Sequence, residues 1–515
     1  MSHKDDYFEA DQHGVDWETL FGDRQLVVVS NRQPYTFEDS GGEITVNRPV
    51  GGLTAGIDPL MQRTSGTWIA WGEGDADEEV VDDADQVDVP PEDPQYTLRC
   101  LWLSDEQVEG YYYGFSNQVL WPICHSALGT VRAEQSFWEQ YKRTNEQFAG
   151  GVVDEVGRQP VVWFHDYHLA LAPRMVRQRL GSEPLLVQFW HIPWPEWDVF
   201  RACPHGEEIV RGLLGNDMLG FHVDRYGQNF LESVDAMLPE ATIDWQSWDV
   251  SHSDGHTHVE AVPMGVPLQE VQVKAATYRE RKFRSFKRSC GIDADTRVAV
   301  GVDRLDYSKG IPERLRALER LWERSPEWRG SLTYVQNGSE SRSEIPAYSR
   351  LQDEVEGAVD RINDRFGTAD WQPVVRVDEY LNERELYGLY RHADLALVSS
   401  VRDGMNLVAA EYAAAQIEGD GVLVLSTQTG AHDLFGEPAV SVSPFAPEQF
   451  ATQIESALRM PKVERQSRMQ RIRRTVAAND LWSWLRGVAE TAQAVEQTRP
   501  APDRHDSTAV GHDAY

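Results

Sequence analysis

Residues 298–322 read VAVGVDRLDYSKGIPERLRALERLW. The first five are apolar, too short for a helix and without polar alternation, which predicts a strand buried on both faces of a parallel sheet. The last eleven, from Pro312, place Leu315, Leu318 and Leu321 or Trp322 on one helical stripe, with Pro312 suited to a first turn. Between them lie two cations, Arg304 and Lys309, and then Gly310 opens the helix. The stretch is therefore a strand, a polar loop and a helix, half of a βαβ unit.

The same pattern recurs outward in both directions. Residues 26–30 (LVVVS), 161–164 (VVWF), 185–190 (LLVQFW), 332–335 (LTYV), 395–399 (LALVS) and 422–425 (VLVL) read as buried strands, and alanine-rich 405–416 as a buried helix. Strands alternating with helices predict an α/β fold of doubly wound parallel sheets. The series runs once before about residue 265 and again after about 295, joined by a charged helical region near 265–284. Two Rossmann-like domains facing across a cleft are expected, residues 25–270 and 271–497, with the last helices packing back on the first domain. Residues 1–24 read as an acidic extension, 73–95 as a solvated acidic loop and 498–515 as a disordered tail.

At 515 residues the chain exceeds one ordinary core, and 41% hydrophobic with 26% charged residues is a globular composition. Its apolar runs are too short to cross a bilayer, and residues 1–14 lack the apolar core of a secretory leader, so a cytoplasmic protein is expected. The four cysteines are scattered without paired spacing, which argues against a disulfide framework or a structural zinc site. The net charge of −34 repels nucleic acid and anionic membranes, so neither is an expected partner. Because the acids are spread along the chain, the charge reads as adaptation to a salt-rich cytoplasm rather than ordinary acidity. A homo-oligomer is left open.

In open α/β sheets, ligands sit beyond the carboxyl ends of strands, so the polar residues there matter most. Arg304 and Lys309, before a helix start, suit a leaving diphosphate, although isolated surface cations usually balance nearby acids. Asp403, in RDGMNLVAAE (402–411), can accept hydroxyl hydrogens or merely cap a helix, and Glu411 lies two helical turns on. HDYH (165–168) and HIPWP (191–195) bring Asp166 and His191 to the ends of successive strands. Without a helical HExxH or a cysteine companion, sugar-hydroxyl binding is favoured there over zinc, and no metal is expected. Ser30-Asn31-Arg32 follows the first strand, Gly51-Gly52-Leu53 begins a helix, and Trp71, Tyr112 and Trp121 supply aromatic surface or core. Arg32 can hold a phosphate through a bidentate contact. Asp75-Ala76-Asp77 and Asp293-Ala294-Asp295 match a DxD metal pattern but read as solvated acids. SNRQPY after the first strand, where a dinucleotide fold would carry GxGxxG, sets aside a nicotinamide dehydrogenase.

Taken in order, SNR, GGL, YYYGFSNQVLWP, HDYH, HIPWP, RLDYSKG and RDGMNLVAAEY resemble the trehalose-6-phosphate synthase family over about residues 25–490. The resemblance implies the two-domain GT-B architecture and retention of anomeric configuration without a metal or other cofactor. Its substrates would be a nucleotide-glucose and glucose 6-phosphate. It assigns Arg304 and Lys309 to the donor diphosphate, Glu411 to the ribose, and Gly52, Asn406 and Leu407 to the same donor set. Asp403, Asp166 and His191 would hold or orient the transferring glucose. Arg32, Tyr112, Trp121 and Arg342 would bind the acceptor phosphate, with Trp71 an aromatic wall and Asp166 shared between the substrates. The sequence departs from the family at 335–342, VQNGSESR, where a less polar loop is usual. That departure keeps other phosphorylated acceptors open, such as glycerol 3-phosphate. A catalytically silent sugar-phosphate sensor is a further alternative, although every expected donor position carries a competent residue. The donor base is not legible. Residues 34–49 are expected to form a hairpin over the acceptor site.

Overall fold

The computed structural model describes residues 24–48, 52–157, 159–339 and 341–499. The acidic extension at 1–23, Gly51 and the tail from 500 lie outside the described residues.

Two parallel sheets organise the molecule. In the first, the central strands lie in the order Met218–Phe221, Leu185–Phe189, Val161–His165, Leu26–Arg32, Thr67–Trp71 and Tyr96–Leu101, all parallel. In the second the order is Val374–Val377, Leu332–Asn337, Arg297–Val302, Leu395–Val398, Val422–Ser426 and Val440–Val442, again parallel. Every apolar run expected to be a strand is one, and these strands are buried on both faces because helices cover both sides. Strand order reverses between Leu26–Arg32 and Val161–His165 in one sheet, and between Arg297–Val302 and Leu395–Val398 in the other. A crevice opens beyond the strand ends at each such point.

Between the sheets run helices Leu268–Thr277 and Glu280–Ser289, the first packing on Glu383–His392 and Leu407–Ala415 of the second unit. The last helix, Leu481–Thr498, returns to the first sheet, where Trp484 packs on Trp163 and Phe189 with ring centroids 5.5 and 5.1 Å apart. Arg499, just beyond it, pairs with Asp217 at 3.2 Å, so residues 498 and 499 of the expected tail are ordered, and the rest of that tail lies outside the described residues.

Two readings need correction. Residues 73–95 are not a solvated loop throughout: Gln86–Val89 adds an antiparallel edge strand beside Tyr96–Leu101. Asp77 is buried rather than solvated, because its carboxylate accepts Phe37 N and Gly74 N, each at 2.8 Å, and the Gln33 amide. A buried carboxylate supplied with three donors is a structural clamp, not a DxD metal ligand. That clamp anchors the hairpin Thr36–Asp39/Ile44–Asn47, which forms as expected.

Residues 105–124 form one continuous helical run, widened to i→i+5 turns over Val108–Leu120. The side chains of Asn117 and Gln118 donate to the carbonyls of Tyr112 and Tyr113, at 2.7 and 3.1 Å, stitching the widened turn. Wide turns of this kind are rare and often occur at functional sites.

Candidate active site

The deciding strand ends as expected. Asp306 caps the short turn Tyr307–Lys309 by accepting Ser308 N at 2.9 Å, and Ile311–Arg324 follows. Gly310 between them has φ +65°, and a β-carbon there would lie 2.2 Å from Ser399 O, so only glycine allows this turn against the neighbouring strand end. The helix is held down by Arg314, fully buried, which pairs with Asp303 at 2.7 Å and donates to Tyr334, Gln336 and Ser399. Burial alone would expel such a charge; with Asp303 and three neutral acceptors it locks the loop bearing Arg304 and Lys309.

Lys309 Nζ lies 2.7 Å from Asp403 Oδ2, bridging the two loops at the crossover of the second sheet. The same oxygen accepts Asn406 Nδ2 at 3.0 Å and Ser400 Oγ at 3.1 Å. Burial would raise the Asp403 carboxyl, but Lys309 and Asn406 outweigh it and hold it below the usual carboxylate range. Asp403 is therefore an ionised, oriented acceptor and not a helix N-cap: Asn406, at φ +76°, precedes Leu407–Ala415. Buried Asn406 Oδ1 and Ser308 Oγ have no protein partner. Arg304 is exposed, and Glu411 is half-buried, with burial and the charge of Glu383 pushing it up to about 7.

At the first sheet's crossover, Asp166 stands at φ +69°, a strained conformation for a non-glycine residue. His191 N donates to Asp166 Oδ1 at 3.3 Å. Burial pushes Asp166 up to about 7, against the backbone N–H groups of Tyr167 and His191 and the charges of Arg342 and Arg304. His191 belongs to a cluster that sequence reading did not foresee. Its Nε2 lies 3.2 Å from His165 Nδ1, and its ring centroid is 5.4 Å from that of His222. Burial, then the two neighbouring rings, hold His191 far below the ordinary histidine value, so it works as a neutral imidazole.

The third group gathers on the widened helix. Arg32 Nη2 donates to Tyr112 OH at 3.3 Å, and Trp71 packs on Tyr112 with ring centroids 5.9 Å apart. Arg342, its side chain only 6% exposed, lies over the Trp121 ring at 4.3 Å. It donates to Tyr348 OH at 2.6 Å and Tyr167 OH at 3.3 Å, and faces Asp306 at 3.4 Å. Burial would raise the Tyr112 phenol, yet Arg342 and Arg32 overcome it and hold it below its ordinary value. An excess of positive charge this close to a phenol marks a pocket suited to an anion.

These contacts join the expected side chains in groups: Lys309, Asp403 and Asn406 in one, Asp166 and His191 in a second, Arg32, Tyr112 and Trp71 in a third, and Arg342 with Trp121 in a fourth. Gly52 opens the helix Gly52–Thr64, with Gly51 outside the described residues. Sequence reading gave no role to Asp306, Tyr167, Tyr348, His222 or Asp303, although Asp306 lies inside RLDYSKG, Asp303 directly before it and Tyr167 inside HDYH. Among the described residues no group of three or more His, Cys, Asp or Glu side chains is arranged to hold a metal ion, and no helix is long and apolar enough to cross a membrane.

Two parallel sheets with cations and carboxylates beyond their strand ends have the GT-B architecture of the solved structures they match. The model of glycosyltransferase family 20 matches residues 24–494, and the chain belongs to that family. It is 35% identical over 486 residues to the UDP-forming α,α-trehalose-phosphate synthase A of Dictyostelium discoideum, covering 93% of this chain and 64% of that protein. It superposes on the Escherichia coli trehalose-6-phosphate enzyme bound with UDP-2-fluoroglucose with TM-score 0.81 and 30% identity, covering 91% of this chain and 99% of that one. A Burkholderia xenovorans UDP-forming α,α-trehalose-phosphate synthase in complex with glucose 6-phosphate matches with TM-score 0.81 and 30% identity, over 91% and 100% of the two chains.

Proposed function

We propose that the chain transfers glucose from UDP-glucose to glucose 6-phosphate, releasing UDP and α,α-trehalose 6-phosphate. The observation that supports this is two separate cationic groups beyond strand ends. Arg304 and Lys309 end the second sheet, and Arg32 and Arg342 line the tyrosine–tryptophan pocket. Two phosphate-bearing substrates need two such sites. The names of the matched relatives support UDP as the donor base.

In this reading Arg304 and Lys309 grip the donor diphosphate with Gly52, Asn406 and Leu407 beside it, and Glu411 accepts a ribose hydroxyl. Asp403, Asp166 and His191 orient the glucosyl group. Arg32, Tyr112, Trp121 and Arg342 hold the acceptor phosphate, with Trp71 as a wall. As the bond from the anomeric carbon to the donor phosphate breaks, negative charge builds on the diphosphate, where the two cations stabilise it. The acceptor hydroxyl attacks on the same face, its proton passing to the departing phosphate oxygen, and configuration is retained. The reaction calls on no metal, because Arg304 and Lys309 supply the positive charge.

The unusual VQNGSESR loop is compatible with this acceptor. Gln336 bonds to Tyr334 and Arg314, and Asn337 Nδ2 donates to Val377 O at 2.8 Å, so the polar side chains of these two residues are satisfied inside the second sheet. Arg342 still reaches the Trp121 face. The test offers UDP-, GDP- and ADP-glucose with glucose 6-phosphate or glycerol 3-phosphate at high salt. Trehalose 6-phosphate from UDP-glucose supports the reading; turnover with glycerol 3-phosphate alone, or donor binding without turnover, refutes it.

A further inference from the structure

One wall of the donor site is tied to the other sheet by a residue outside every motif above. Tyr226, in the helix Asp224–Met237 of the first unit, is fully buried. Its hydroxyl donates to Asp403 O at 2.9 Å, from the first unit to the second, and accepts Arg225 Nη2 at 3.2 Å. Arg225 continues in the same direction, with Nη2 on Thr429 O at 3.1 Å and Nη1 on Asp433 Oδ1 at 2.6 Å. The loops these two residues reach are already one body. Asp403 N donates to Gln428 O at 3.2 Å, Gly430 N to Asp403 O at 3.1 Å and Ala431 N to Met405 O at 2.8 Å. The joined loops also lie directly on the first sheet: a β-carbon at Gly404 would fall 2.2 Å from His191 O.

We infer that Tyr226, backed by Arg225, is a positioning residue that holds the Asp403–Asn406 loop against the first unit and so couples sheet docking to the grip on the nucleotide-sugar. The coupling follows from one residue serving two roles. The carbonyl of Asp403 is held by Tyr226, while its carboxylate holds Lys309 and Asn406. A shift of that backbone away from the first unit moves the carboxylate and the ammonium together. The acceptor pocket is framed independently, by Tyr112, Trp121, Tyr167 and Tyr348, and has no bond to Tyr226. The inference rests on the proposed reaction for its choice of ligand.

Tyr226→Phe is a clean deletion. Asp403 O keeps the Gly430 amide, and Arg225 keeps Thr429 and Asp433, so no buried polar group is stranded and the fold survives. Loss of one well-placed neutral hydrogen bond raises the KM for the nucleotide-glucose about fivefold, with the KM for the sugar phosphate unchanged. Asp433→Asn, at the protein surface, shifts donor KM the same way by less, and the double variant falls short of the summed effects because both act on one device. A Tyr226→Phe protein that melts earlier but keeps its donor KM, or in which both KM values rise alike, overturns the inference. Calorimetric titration with UDP separates it from the proposed reaction. If the wild type binds UDP yet turns over no nucleotide-glucose, the reaction falls, and weaker UDP binding by the variant still sustains the positioning role. Equal UDP affinity in both proteins, or none in the wild type, overturns it.

Discussion

Replacing Lys309 with alanine removes the ammonium that lies 2.7 Å from Asp403 and, in the proposed reaction, faces the departing diphosphate. The catalytic loss follows from deleting one preorganised charge aimed at a developing anion, about 3 kcal/mol of barrier, or on the order of 10²-fold in kcat. The structural loss is smaller, because Asp403 keeps Ser400 and Asn406 as donors. It is also pH-dependent. With Lys309 present the folded-state carboxyl is held below its unfolded value, so this group stabilises the protein above the unfolded value, and the gain disappears as pH falls through the folded one. Lys309→Ala therefore melts below wild type at neutral pH, and the gap closes under acid, below about pH 4. Steady-state UDP release, with melting curves across pH, reads both effects. Wild-type kcat in a folded Lys309→Ala protein refutes the assignment of Lys309 to the leaving group.

Three further outcomes are expected. Arg342→Lys keeps a charge but loses the planar stack on Trp121 and the fork to Tyr348 and Tyr167, so the KM for glucose 6-phosphate rises about tenfold while donor KM holds; equal changes in both contradict the pocket assignment. Glu411, pushed up to about 7, is a group with a raised folded value, so its contribution is fully present below the unfolded value and is lost as pH rises through about 7. Glu411→Gln accordingly melts above wild type at pH 8 and converges with it toward pH 4, while binding UDP more weakly; a pH-independent difference in melting argues against the burial of this charge. Finally, screening relieves the self-repulsion of a chain with net charge −34, so its melting temperature climbs between low salt and molar KCl, and a flat or falling profile contradicts the salt-adapted reading.

The strand–loop–helix units were legible because parallel strands buried on both faces must be short apolar runs, and the cations after residue 302 and the carboxylate at 403 follow such runs directly. What stayed hidden depends on pairing and burial that the local residue pattern does not show. Gln86–Val89 looks like acidic loop until Tyr96–Leu101 pairs with it. Arg314 looks like the polar face of an amphipathic helix, and only its burial beside Asp303, Tyr334 and Ser399 shows otherwise. The helix at 105–124 escaped notice because its aromatic and glycine-rich segment has no 3.6-residue stripe, which the widened turn makes unnecessary. His165, His191 and His222 come from three strand ends, and no spacing in the chain announces that their rings pack together.

A crystal structure with UDP bound tests the central claim most directly. The account predicts the diphosphate seated at the start of Ile311–Arg324, with the Arg304 guanidinium and the Lys309 ammonium each about 3 Å from a phosphate oxygen. A diphosphate bound elsewhere, or both cations turned away from it, contradicts the account.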